Sequence, residues 1–267
     1  MVKNLKYILL VLSTCLCLLF TGCGKEATYE TTLYDSLDVI TDLDIDISSA
    51  DVKILVTEGN PKVECREADA IKHTVETVNG TLIIRNEIDN RFAIDYDKIS
   101  VTVYLPKQSY GHLYIKNASG HIDVDEGLTF SSANIVASSG NIEYSSNVEN
   151  DLKMDAASGN VLLSKFSCGT LNVDAASGDV KMTAVVAAKD ISIHTSSGDI
   201  LLNHCDANNL DITASSGNVV GTLLTPKTFD AVALSGSVHV PQDNEGGKCK
   251  IRASSGNIDI SISNSNP

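Results

Sequence analysis

Apolar and polar residues alternate one for one through most of this chain, and the dipeptide Ser-Gly interrupts them at a near-constant step. Strict alternation is the period of a strand with one buried face. In Leu152-Lys153-Met154-Asp155-Ala156-Ala157-Ser158-Gly159-Asn160-Val161-Leu162-Leu163 it runs up to the pair and resumes beyond it. The pairs are Ser119-Gly120, Ser139-Gly140, Ser158-Gly159, Ser177-Gly178, Ser197-Gly198, Ser216-Gly217, Ser235-Gly236 and Ser255-Gly256, with serines 20, 19, 19, 20, 19, 19 and 20 residues apart. A fixed period of this size marks a solenoid, whose coils bury their apolar side only by stacking on one another.

The same columns recur in every coil. Six residues before each serine stand Leu113, Ala133, Leu152, Leu171, Ile191, Leu210, Phe229 and Cys249; four before stand Ile115, Ile135, Met154, Val173, Ile193, Ile212, Ala231 and Ile251. Two after each glycine stand Ile122, Ile142, Val161, Val180, Ile200, Val219, Val238 and Ile258. These should point inward as apolar ladders. The corner glycines Gly120, Gly140, Gly159, Gly178, Gly198, Gly217, Gly236 and Gly256 supply freedom for a sharp bend and allow close approach of neighbouring coils. Asn141, Asn160, Asp179, Asp199, Asn218 and Asn257 follow them; such residues bond their own backbone in turns, and stacked they would form a capping ladder. The second bend is looser, and nothing in the period leaves room for a helix of ten residues. The expected fold is all-β, a parallel β-solenoid (β-helix-like) of about eight 19–20-residue coils over 113–262, each about 4.8 Å thick.

Residues 37–112 read as an irregular β starting section of the same domain. Leu43, Ile45 and Ile47 lead into Ser48-Ser49-Ala50-Asp51, with alanine in place of glycine, and Asn79-Gly80 is a strong hairpin signal. A solenoid needs its end coils protected, and this section is placed to do so. The far end stops after Ile258, Ile260 and Ile262, which predicts a minimal C-terminal cap or one supplied by a partner.

The first residues have a different character. Lys3 and Lys6 precede an apolar run, Tyr7 to Phe20, too short and wrongly flanked for a membrane span. The run ends in LLFTGC, which resembles the lipobox of bacterial lipoproteins, with Phe20 where leucine is more usual. The resemblance implies removal of residues 1–22 and lipidation of Cys23; an ordinary signal peptide cut near Gly22 is the alternative. The chain then divides into a signal peptide (1–22), a lipidated cysteine with a polar stem (23–36) and a single β-solenoid domain (37–267). It would be an exported lipoprotein on the extracytoplasmic face of a cell membrane.

Removing Lys3 and Lys6 from the 20 basic residues leaves 18 against 34 acidic, a net charge of −16. Nucleic acid is excluded as a partner, because phosphate binding needs a basic surface. Cys65, Cys168, Cys205 and Cys249 are too widely spaced for a disulfide framework, and Cys249 occupies a leucine position of the core.

Candidate chemistry is sparse. Asp155, Asp174 and His194 fall in one outward column on consecutive coils, three residues before the serine. They read first as a solvated strand face and second as oxygen and imidazole ligands for a cation. Every serine pair is explained by the corner, tryptophan is absent and the array holds one arginine, Arg252, so no catalytic residue and no cofactor is assigned. Outward apolar residues stand in two columns, Val136 with Val232, and Leu162, Leu201 and Val220 interrupted by Lys181 and His239. A continuous patch there, or an open edge at the last coil, would serve a protein partner or self-association.

The stretch Ile99-Ser-Val-Thr-Val-Tyr-Leu-Pro-Lys107, followed by Leu113-Tyr-Ile-Lys-Asn-Ala-Ser-Gly-His-Ile122 and the repeats, resembles the bacterial "putative adhesin" domain family of unknown function. The likeness spans about residues 38–262 and implies a β-solenoid and a cell-surface role. The expected function is therefore a surface-anchored, non-catalytic binding or adhesion module for an envelope or host ligand. The alternatives are an envelope-stress accessory protein acting on a membrane protein and, behind it, a polysaccharide-active enzyme.

Overall fold

A computed structural model of the chain describes residues 28–35, 37–88, 96–242 and 245–263. The signal segment and Cys23 lie outside them. The described residues form a 24-stranded, largely parallel system wound coil upon coil, as the periodicity predicts. In each regular coil one strand turns at the Ser-Gly corner into a second; Asp151–Ser158 leads into Val161–Cys168. First strands pair with first strands (Leu152 with Leu171, Met154 with Val173) and second with second (Val161 with Val180). The apolar columns are thereby in register and buried, each large side chain contributing about 1.5–3 kcal/mol. Cys65, Cys168, Cys205 and Cys249 are buried free thiols in this interior.

The corner glycines are required twice over. Gly178 has φ +122°, in the left-handed region, and a Cβ there would lie 2.1 Å from the carbonyl oxygen of Gly159 on the coil before. The residue after each glycine then ties coil to coil. Asn141 Oδ1 accepts the Asn160 N–H (2.9 Å), Asn160 that of Asp179 (2.9 Å), Asp179 that of Asp199 (3.0 Å) and Asp199 that of Asn218 (2.7 Å). The ladder expected at this position exists, but each side chain bonds the next coil's backbone and not its own. At the second bend Lys165, Ala184 and His204 sit at φ 56°, 53° and 55°, a left-handed bulge repeated without glycine.

Both ends depart from simple succession. The first coil, Asp42–Ser49 and Asp51–Thr57, pairs directly with Ser109–Ser119 and Ile122–Val124. Ala50 serves at its corner, where Asn117 Nδ2 donates to the Ala50 carbonyl (2.8 Å). Between them the chain runs outward to build the cap. Thr81–Ile88 and Ser100–Pro106 stack in parallel on the first coil. Ile71–Val78 and Lys62–Ala68 then pair antiparallel with those two, closing the parallel array. The hairpin forms at Asn79-Gly80, as its sequence predicts. Within the segment read as a polar stem, Tyr29–Tyr34 is a strand, antiparallel to Lys62–Ala68.

At the other end the chain skips a place. Thr228–Ser235 does not pair with Asn209–Ser216; Lys248–Ser255 lies between them and pairs with both. Ile258–Ile262 likewise lies between Val219–Leu223 and Val238–His239. The last strand stops at Ile262 as expected, but its place is corrected: the last coil in sequence is an inner coil, and 228–239 forms the end. The corner ladder follows this order, from Asn218 to the Asn257 N–H and from Asn257 to the Ser237 N–H (2.9 Å each). Gly246-Gly247 permits the passage, since a Cβ on Gly247 would lie 1.5 Å from the Asn208 carbonyl oxygen. A buried ion pair, Lys227 Nζ to Asp206 Oδ1 at 2.7 Å, fastens the skipping loop to the coil behind.

Gly178→Ala is expected to cost about 3 kcal/mol or more in urea denaturation, since it adds both strain and a backbone clash. Ala184→Gly, at an exposed left-handed position, should raise stability by about 0.5–1 kcal/mol in the same experiment.

Candidate binding groove

The outward column picked out in the sequence is brought together. Asp155 pairs in register with Asp174, and Asp174 with His194, so the three stand on consecutive rungs. Beside them the small side chains of Ser138, Ala157, Ala176 and Ser196 leave a shallow groove of about 310 Å³. Alanines and serines recur there because the chain is about to turn at the corner, so the trough follows from the repeat itself.

Lys153 changes the electrostatics of this column, and sequence reading missed it. It lies two residues before Asp155 on the same outward side, and its Nζ donates to Asp155 Oδ2 at 2.8 Å. The hydrogen bond and charge of Asp155, with the field of Asp174, hold the ammonium above its ordinary range. The positive charge that two stacked carboxylates call for is thus supplied from the same face. The signal was present in the i, i+2 alternation, which puts Lys153 and Asp155 side by side. The arrangement offers two carboxylates, an imidazole and one ammonium on neighbouring rungs of the same face.

The apolar columns come together only in part. Leu201 and Val220 are neighbours in register and 42% and 39% exposed, while Lys181 separates them from Leu162. Val136 and Val232 lie at different places along the rod and form no patch.

A second polar cluster, in the cap, was not anticipated. Cys65, Glu67 and His73 are buried with their potential ligand atoms within 4.8 Å of one another. Glu67 Oε1 accepts the His73 backbone N–H (2.6 Å) and contacts His73 Nδ1 (3.2 Å); Oε2 accepts from Thr32 (3.1 Å) and Lys72 (3.5 Å). Burial pushes the Cys65 thiol up to about 12. A metal ion could take these residues only by displacing bonds that already satisfy the carboxylate and by deprotonating that thiol. Glu67 acts as the clasp of the turn between Lys62–Ala68 and Ile71–Val78. Sequence periodicity gives no sign of it, because these residues belong to no repeat column. Burial holds the His73 ring below its ordinary value against the opposing pull of Glu67.

No helix among the described residues is long and apolar enough to cross a membrane. The rod of coils stacked strand on strand defines a parallel β-solenoid. Two overlapping stretches, residues 40–168 and 146–267, match the Toastrack DUF4097 family, and the chain belongs to it. That membership agrees with the resemblance read from the Ile99–Ile122 stretch. No curated protein matches the chain. Among solved structures it is similar to a "putative adhesin" from Bacteroides fragilis NCTC 9343, at 16% identity and TM-score 0.59, over 88% of this chain and 97% of that one. A "putative lipid binding protein" from Parabacteroides distasonis ATCC 8503 is similar at 16% identity and TM-score 0.49, over 89% and 98%. The first of these likenesses shows the same fold.

Because the folded state holds His73 with a lowered pKa, its contribution to stability is complete above the unfolded value of about 6.5 and is lost as pH falls below it. Denaturation midpoints between about pH 6.5 and 5, above the carboxylate range, should therefore fall, and His73→Gln should flatten that slope.

Proposed function

We propose that this protein is an exported, lipid-anchored, non-catalytic binding module that holds an envelope or host-surface ligand along the side of its rod. The observation that carries the reading is the groove over Asp155, Asp174 and His194, where register repeats hydrogen-bonding side chains at the coil spacing. A strip of this kind suits an extended partner better than a compact substrate, because successive rungs present Asp155, Asp174 and His194 at a fixed step of about 4.8 Å. The Bacteroides fragilis protein of the same fold carries the name "putative adhesin", which supports the same direction. Anchoring through Cys23, with residues 1–22 removed, would hold the capped N-terminal end nearer the membrane and leave the groove facing outward.

Cys23→Ser should move the protein from the membrane fraction to the medium, with loss of fatty-acid labelling; retention in the membrane fraction would rule out the lipid anchor. For the groove, photocrosslinking residues at positions 157 and 176 in intact cells should capture surface polymer or host material, and Asp155→Ala with Asp174→Ala should reduce the yield several-fold. Capture of one membrane protein instead would mean an envelope-stress accessory role. Glycan turnover that vanishes in the double variant would mean an enzyme.

A further inference from the structure

The two ends of the rod are finished in opposite ways. At the N-terminal end the outermost strands run antiparallel and carry charge: Glu30 on Tyr29–Tyr34, Lys72 and Glu76 on Ile71–Val78, with Lys72 paired to Glu30. Charged side chains and reversed strands are what proteins use to blunt a sheet edge. Among the described residues the C-terminal end has no reversed strand, and its edge strand carries a single charge, Asp230, paired to Arg252. Thr228–Ser235 pairs with Lys248–Ser255 on one side, and on its other side no strand lies among the described residues. Its sequence, TFDAVALS, contains no lysine, no proline and no glycine.

The interior is open at this end as well. Val238 occupies a core column in which Val219 and Ile258 are fully buried, yet it is 38% exposed. Phe229, Ala231 and Ala233 continue the first-strand columns and are only partly buried, whereas Cys249, Ile251 and Ala253 beneath them are buried. Val232 and Leu234 on the outer side are 41% and 78% exposed.

Charge identifies what fits there. The chain has a net charge of −14, but from Leu224 to Gln242 its formal charges are Lys227 and Asp230 alone. Both are matched internally, Lys227 by Asp206 at 2.7 Å and Asp230 by Arg252 at 2.6 Å. Elsewhere like charge sets two copies apart; along this edge segment the formal charges cancel. The edge is also complementary to itself. An antiparallel pairing about a two-fold axis through Ala231 sets Phe229 opposite Ala233 in both halves, large against small, and keeps inward residues facing inward. Two-fold association through one shared patch is the commonest form of oligomer.

We infer that the C-terminal end is a docking edge for a second copy of this chain, joined strand to strand through Thr228–Ser235 so that the two interiors become continuous. The test is the mass of the full mature chain carrying Cys23→Ser, by light scattering and sedimentation at up to about 100 µM, a range that captures a roughly micromolar Kd. A dimer is expected. Val232→Asp, on the exposed outer side opposite Asp230 of the other copy, should weaken it by about tenfold or more, and Leu234→Asp should act likewise. Unchanged melting of both variants would show that the rod itself is intact. A monomer at about 100 µM, or a dimer indifferent to both substitutions, would overturn the inference.

Discussion

The distance at which one coil's backbone passes the next, at the Ser-Gly corner, governs the rest of this molecule. With the glycine Cβ absent, the Gly159 carbonyl oxygen can sit where a side chain on Gly178 would have been, and the same contact recurs from Gly140 to Gly256. That approach lets both strands of a coil pair with both strands of its neighbour. It also brings each Asn or Asp that follows within reach of the next backbone N–H. Side-chain columns inside and outside the rod are then fixed in register, so core and groove have a common origin.

The repeating body was legible because its determinants are local. Alternation names the buried face, the period names the coil, and a column such as Asp155, Asp174 and His194 follows by counting. Lys153 was equally countable but belongs to the column two residues earlier, so reading one column at a time concealed its bond to Asp155. Glu67 and His73 were not legible, because their partnership depends on a turn in the cap that no repeat describes.

Stacking order was hidden for a further reason. Every coil presents the same apolar columns, so the 209–223 coil can accept either 228–239 or 248–262 as its neighbour on hydrophobic grounds alone. Local geometry decides the matter. Gly246-Gly247 gives a passage beside Asn208 that no other residue would clear, and Lys227 reaches back to Asp206 across the place left for the incoming coil. These residues lie outside the columns and look in the sequence like ordinary loop.

The insertion of 248–262 sets an order in time. A rod whose coils follow one another could assemble from its beginning as the chain grows. Here the last residues must enter between two coils that precede them, and the 228–239 coil gains its native neighbour only when they do. In its native order the rod extends only to the 209–223 coil until 248–262 is present. Its tip takes its native order only once the sequence through Ile262 is present.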